Sequence, residues 1–262
     1  MMRIFFAVLV AAVAASCSPK FNVVVQQKII NTETKLKEHT GFYLYDLELN
    51  QPVVQHNADK YFTPASNTKI LSFYTGLTIL GDSIPALRYI IQGDSLIFWG
   101  MGDATFLYKH AYDNQRTTQF LSHTEKFQYY SSANFSAHRF GEGWAWDDYT
   151  GSYQSELGPF PIYGNLLSAK YESNELWVEP ARLAKHVTVG APGDKAKLER
   201  KERENTFVYS PSYSSNQQEF DVPFIVSDSL TVQLLEDTLL RAVQKIKETF
   251  RKESKTKNST PT

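Results

Sequence analysis

The sequence has 262 residues, 42% hydrophobic and 21% charged, which is ordinary for a globular chain with a substantial core. Its 27 basic and 28 acidic residues leave a formal net charge of −1, so there is no electrostatic basis for nucleic-acid binding. Aromatic residues make up 14%, a share that strand packing explains and that stacking against sugar or peptide ligands would also use.

The first elements concern export. Arg3 is followed by an apolar run from Ile4 to Ala15, the layout of a secretory signal over residues 1–16. The run is shorter than the roughly 20 apolar residues that a bilayer span needs. The next residue, Cys17, is the only cysteine, so it has no disulfide partner in an oxidising compartment. The string Ala14-Ala15-Ser16-Cys17 resembles a bacterial lipobox, with Ala14 where leucine is usual. That resemblance implies a diacylglyceryl group on Cys17 and a lipid-anchored protein on the periplasmic face of a bacterial membrane. An ordinary signal peptide with an incidental cysteine is the alternative. Acyl chains at about 0.8 kcal/mol per buried methylene would suffice for anchoring.

Residues 17–38 are expected to be a linker running into a helix. Residues 41–47 and 52–56 form two short strands around a turn, a hairpin signal. The strongest helical pattern covers residues 63–81, with Pro64 at its start, Gly81 at its end and Ile70, Phe73, Leu77 and Leu80 on one face. Strands follow at residues 88–92 and 95–99, joined by Gly93-Asp94, and at 168–171 and 175–179. The charge-dense residues 194–204 are expected to be a solvated loop or helix face. Residues 231–250 carry an amphipathic stripe, Val232, Leu235, Leu239, Val243, Ile246 and Phe250, that predicts a helix. The polar residues 251–262 lack periodicity and are expected to be disordered.

The chemistry centres on Ser66-Asn67-Thr68-Lys69, at the start of that strongest helix. Residues three apart share a helix face, so the Lys69 amine can lie beside the Ser66 hydroxyl. A serine becomes a good nucleophile when a neighbour takes its proton, and a neutral lysine amine can do so. Burial and the partial positive charge of a helix N-terminus both favour the neutral amine. The Ser66 backbone N–H is also one donor for the oxyanion that attack creates. A serine N-cap beside a surface lysine would have the same spelling.

The surroundings resemble a known family. Tyr61-Phe62-Thr63-Pro64-Ala65-Ser66-Asn67-Thr68-Lys69 resembles the nucleophile segment of D-alanyl-D-alanine carboxypeptidases of the penicillin-binding protein 4 family. Trp99-Gly100-Met101-Gly102-Asp103-Ala104-Thr105 resembles its Gly-x-Gly-Asp-Pro-Thr segment, with Ala104 replacing proline. Phe140-Gly141-Glu142-Gly143-Trp144-Ala145-Trp146-Asp147-Asp148 resembles its Gly-x-Gly-Trp-x-Trp-Asp-Asp segment. The resemblance implies a mixed α/β fold, part of a β-lactamase/transpeptidase-like catalytic domain with a large β-rich insertion. Residues 39–83 would be the first part of that domain, 84–226 the insertion and 227–250 a C-terminal amphipathic helix. It implies a peptidoglycan peptide as substrate, β-lactams as ligands, and neither metal nor cofactor. Ser66 is then the acylated nucleophile, Lys69 its base, and Asp148 a contact for the free ammonium of the peptide's diamino acid. A turn-capping role for Asp148 fits the sequence equally.

The family's Ser-x-Asn and Lys-Thr-Gly motifs do not occur after Val226, where the resemblance places them. Ser132-Ala133-Asn134 and His39-Thr40-Gly41 have similar spellings at the wrong places in the chain. The expectation is a chain carrying only the front part of the catalytic domain. Its functional readings are a D-Ala-D-Ala carboxypeptidase or endopeptidase, or a membrane-tethered remnant that binds muropeptides or penicillin without full turnover.

Overall fold

The computed structural model describes residues 21–111, 115–173, 175–214 and 218–247. The signal segment, Cys17 and residues 251–262 lie outside the described residues. The chain has a mixed α/β fold in two compact units, one ending at Ile79 and one beginning at Leu80.

The first unit contains helix α1 (Phe21–Leu36), strands β1 (Phe42–Asp46) and β2 (Gln51–His56), and helix α2 (Thr68–Leu80), which reaches the unit boundary. β1 and β2 pair antiparallel, and their turn is closed by Asp46, whose Oδ1 accepts the N–H groups of Glu48 and Leu49. The register shifts between Leu44 and Tyr45, where Tyr45 opposes Pro52. Proline has no N–H to give the ladder, so a bulge there costs little. Glu33 of α1 ties the helix to the hairpin. Its carboxylate accepts the Thr40 N–H at 2.7 Å and meets His56 Nε2 at 2.7 Å. The Thr40 bond first, and the His56 bond second, hold the Glu33 carboxyl below its ordinary range. His39-Thr40-Gly41 therefore has local work. Thr40 anchors α1, the His39 ring stacks on Phe62 at 4.8 Å, and a Cβ on Gly41 would come within 2.6 Å of that phenyl ring.

The second unit runs β3 (Leu87–Gln92), β4 (Ser95–Gly100), α3 (Arg116–His123), β5 (Phe127–Tyr130), β6 (Leu166–Glu172), β7 (Glu175–Glu179), β8 (Val187–Val189), β9 (Lys197–Arg200), β10 (Phe207–Ser210), β11 (Gln218–Pro223), α4 (Asp228–Leu239) and β12 (Val243–Lys245). Its strands form three sheets, ordered β12-β5-β4-β3, β11-β6-β7 and β8-β10-β9. Phe98, Tyr130, Leu167, Phe207, Tyr209, Leu234 and Leu235 are among the buried side chains of one shared core. The β3–β4 hairpin turns at Gly93-Asp94 as the sequence predicts, with Gly93 at φ 56°, where a residue without a Cβ is favoured.

Two expectations are corrected. Residues 197–200 are a strand, not a solvated loop or helix face: Leu198 and Arg200 point inward while Lys197 and Glu199 point out. Charged residues on the open face hid this alternation. The helix expected over 231–250, in a segment placed at 227–250, spans Asp228–Leu239 instead. Ser227 caps its start by accepting the Leu230 N–H, and Leu240 leaves the helix at φ 52°. Val243 is buried, but as part of a parallel strand beside β5 rather than on a helical face. The apolar stripe persists across the break because both conformations turn it toward one core. Leu234, Leu235, Leu239 and Val243 share that core with residues of β4, β6 and β10.

Candidate active site

In the first unit, the chain between β2 and α2 presents the serine. Asn67 Oδ1 accepts the Ala65 N–H at 3.1 Å, and Thr68 Oγ1 donates to the Ala65 carbonyl at 2.8 Å. The N–H groups of Thr68, Lys69 and Ile70 reach the carbonyls three residues back, a tight turn that winds into α2. The α-helix thus begins at Thr68, and Ser66 sits on the turn just before it rather than inside it. Lys69 folds back so that its Nζ donates to Ser66 Oγ at 2.9 Å. This pair can move a proton directly between the hydroxyl and the amine. Ser66 and Lys69 are both solvent-exposed within the described residues.

In the second unit, Asp148 lies on a single-turn 3-10 helix, Trp146–Thr150. That turn is the middle of a long segment whose ends meet, the Leu157 N–H donating to the Arg139 carbonyl at 2.7 Å. Glu156, with 3% of its side chain exposed, seals the base: Oε1 meets Arg139 at 3.3 Å and Oε2 accepts the Val226 N–H at 3.0 Å. Buried Gln154 donates to the Ala145 carbonyl at 2.7 Å. Gly141 lets the Trp144 indole lie against the backbone, since a Cβ there would stand 2.6 Å from Nε1. The neighbouring Asp148 carboxylate, as a hydrogen-bonding partner first, pushes the exposed Tyr153 phenol above its ordinary range. The turn divides two clefts. One, of about 200 Å³, is lined by Phe140, Trp144, Trp146 and Tyr149, with Arg139 and Arg200. The other, of about 800 Å³, runs between Asp147, Tyr149 and Thr150 and the face of β9 and β10.

The segment after β4 explains its own glycines. Gly100 faces the Pro159 carbonyl so closely that a Cβ would sit 2.2 Å from it, and Gly102 has φ 83°. Asp103 Oδ1 then accepts both the N–H and the hydroxyl of Thr105. Ser132-Ala133-Asn134 is a turn after β5, with the Phe135 N–H on the Ser132 carbonyl. Sequence reasoning named Ser66, Lys69 and Asp148 but missed Tyr153, Glu156 and Arg200. The last two carried one signal, burial at positions where charge normally stays wet, and that is visible only in the fold. Among the described residues, no group of three or more His, Cys, Asp or Glu could hold a metal ion, and no helix is long and apolar enough to cross a membrane.

The chain is similar in structure to penicillin-binding protein 4 from Haemophilus influenzae, with a TM-score of 0.58 and 16% identity over 80% of this chain and 54% of that one. It is also similar to the same Haemophilus influenzae protein complexed with a novel β-lactam, with a TM-score of 0.51 and 13% identity over 80% of this chain and 52% of that one. The chain thus spans about half the length of these relatives, and at such identities the likeness shows the fold. No curated protein gives a significant match. The model of the D-Ala-D-Ala carboxypeptidase 3 (S13) family matches residues 25–258, which is most of the chain. The chain belongs to the D-Ala-D-Ala carboxypeptidase 3 (S13) family.

Proposed function

We propose that the chain carries the nucleophile of a serine-type D-Ala-D-Ala carboxypeptidase acting on peptidoglycan peptides. The observation that carries the reading is the 2.9 Å contact between Lys69 Nζ and Ser66 Oγ, within a member of that family. The Lys69 amine takes the hydroxyl proton as Ser66 Oγ attacks the penultimate D-alanyl carbonyl. The oxyanion collapses, the peptide C–N bond breaks, and the proton passes to the leaving D-alanine. Water then attacks the acyl-enzyme with the same amine as base, releasing the shortened peptide and restoring Ser66. A cross-link ending on a D-alanyl carbonyl is open to the same steps, which makes endopeptidase action part of the reading.

A β-lactam acylates the same hydroxyl by opening its ring, which fits a family whose Haemophilus influenzae relative is described in complex with a β-lactam. The test is a fluorescent penicillin on the full chain, with peptide mapping by mass spectrometry. Label on Ser66, lost in Ser66→Ala, is expected; label on another residue refutes the assignment.

In the same reading, residues 39–83 begin the transpeptidase-like domain and residues 84–226 are its insertion. Asp148 meets the ammonium of the diamino acid through a charge-assisted contact. Export follows from residues 1–16, and Cys17 carries the lipid. Cells expressing Cys17→Ser should release the protein from the membrane fraction. Full retention there would count against the anchor.

A further inference from the structure

We propose that Arg200 is a positioning residue, which fixes the turn that presents Asp148 and so sets the site's preference for an ammonium ligand. The inference rests on the reading of Asp148 as the ammonium contact.

Arg200 lies on β9 and is 3% exposed. A buried guanidinium is costly unless its donors are matched, and burial is the leading effect that lowers its pKa. Its guanidinium donates to backbone carbonyls. Nε donates to Pro223 at 2.8 Å, one terminal nitrogen to Lys201 at 2.7 Å and Glu202 at 3.0 Å, and the other to Tyr149 at 3.4 Å. The same guanidinium lies 5.1 Å from the centre of the Tyr149 ring. One rigid, planar fork therefore joins three chain segments: the end of β11, the turn after β9, and the residue next to Asp148.

The turn also lies against β11, while the bonds within its own loop are local. Inside that segment, Gln154 fixes Ala145 and the Gly151 N–H returns to the Asp148 carbonyl. Those bonds shape the loop but do not join its crest to the sheets. Arg200 makes that join at Tyr149, the residue directly after Asp148. A single-turn 3-10 helix has little stability of its own, so an outside anchor matters more here than on a long helix. Lysine cannot replace the fork, because one ammonium cannot reach carbonyls arranged around a plane.

The test compares two probes on the full chain by calorimetric titration: Nα-acetyl-L-lysyl-D-alanyl-D-alanine, with a free side-chain ammonium, and its Nα,Nε-diacetyl form. Wild type should prefer the free ammonium by about tenfold or more, as expected for a charge-assisted contact. Asp148→Asn should bring the ratio to about one. Arg200→Met should do the same in protein that still melts cooperatively, and Arg200→Lys should not rescue it. A purely structural arginine would lower the melting temperature and weaken both probes alike, leaving the ratio intact; that result overturns the proposal. A wild-type ratio of one, or a ratio that survives Asp148→Asn, overturns the Asp148 reading and the inference with it. If Arg200→Met does not fold, hydrogen exchange of Arg200→Lys decides. Faster exchange confined to residues 144–151 is expected, and unchanged exchange there overturns the proposal.

Discussion

The Ser66–Lys69 pair can be tested by removing the amine while keeping its stem. Lys69→Met retains an unbranched side chain of good helix propensity at a position in the first turn of α2. Lys69 is exposed, so its loss opens no cavity and the melting temperature should move little. The chemistry should move a great deal. The amine is 2.9 Å from the hydroxyl it would deprotonate, inside the range where a general base acts directly. Positioned general bases contribute roughly 10²- to 10⁴-fold, which corresponds to about 2.7–5.4 kcal/mol of activation free energy. The second-order rate of Ser66 acylation by a fluorescent penicillin should therefore fall by two to four decades in Lys69→Met. The assay is a time course of label on intact protein, checked by mapping the modified peptide. A drop of less than threefold, in protein that melts as wild type does, would show that Lys69 is not the base.

Two further outcomes concern the second unit. Gly100→Ala forces a Cβ to within 2.2 Å of the Pro159 carbonyl, a backbone atom that cannot rotate away, so about 1–3 kcal/mol or more of stability should be lost in denaturant titration. Asp221 should make the unit acid-sensitive. Burial pushes its carboxyl up, but hydrogen bonds from Ser168, Lys109 and His110 outweigh burial and leave it below its ordinary value. A depressed carboxyl stabilises the fold above the unfolded value of about 3.9, and that contribution disappears as pH falls through the lower folded value. Melting temperatures of Asp221→Asn should thus be lower near neutrality and converge with wild type in strong acid; parallel curves would remove Asp221 from the account.

What depends on neighbours along the chain was legible in the sequence. The i, i+3 spacing brought Ser66 and Lys69 together, and the structure has their side chains in contact. Alternation and a Gly-Asp turn located the β3–β4 hairpin, because a two-residue turn leaves few other pairings. The quoted strings around Ser66, Gly100 and Trp144 pointed to the family that the chain matches over residues 25–258. Only the tertiary structure decided what depends on distant partners. Residues 197–200 read as solvated charge, yet Arg200 is buried, with two of its carbonyl partners, Pro223 and Tyr149, brought from 23 and 51 positions away. The amphipathic stripe running through Val243 fits a helix as well as a helix followed by a strand. The choice fell to Leu240 leaving the helix and to the parallel edge of β5, which gave Val243 a ladder to join. Local periodicity records which side chains will be buried. The partner that buries them, and the backbone conformation that reaches it, are properties of the assembled core.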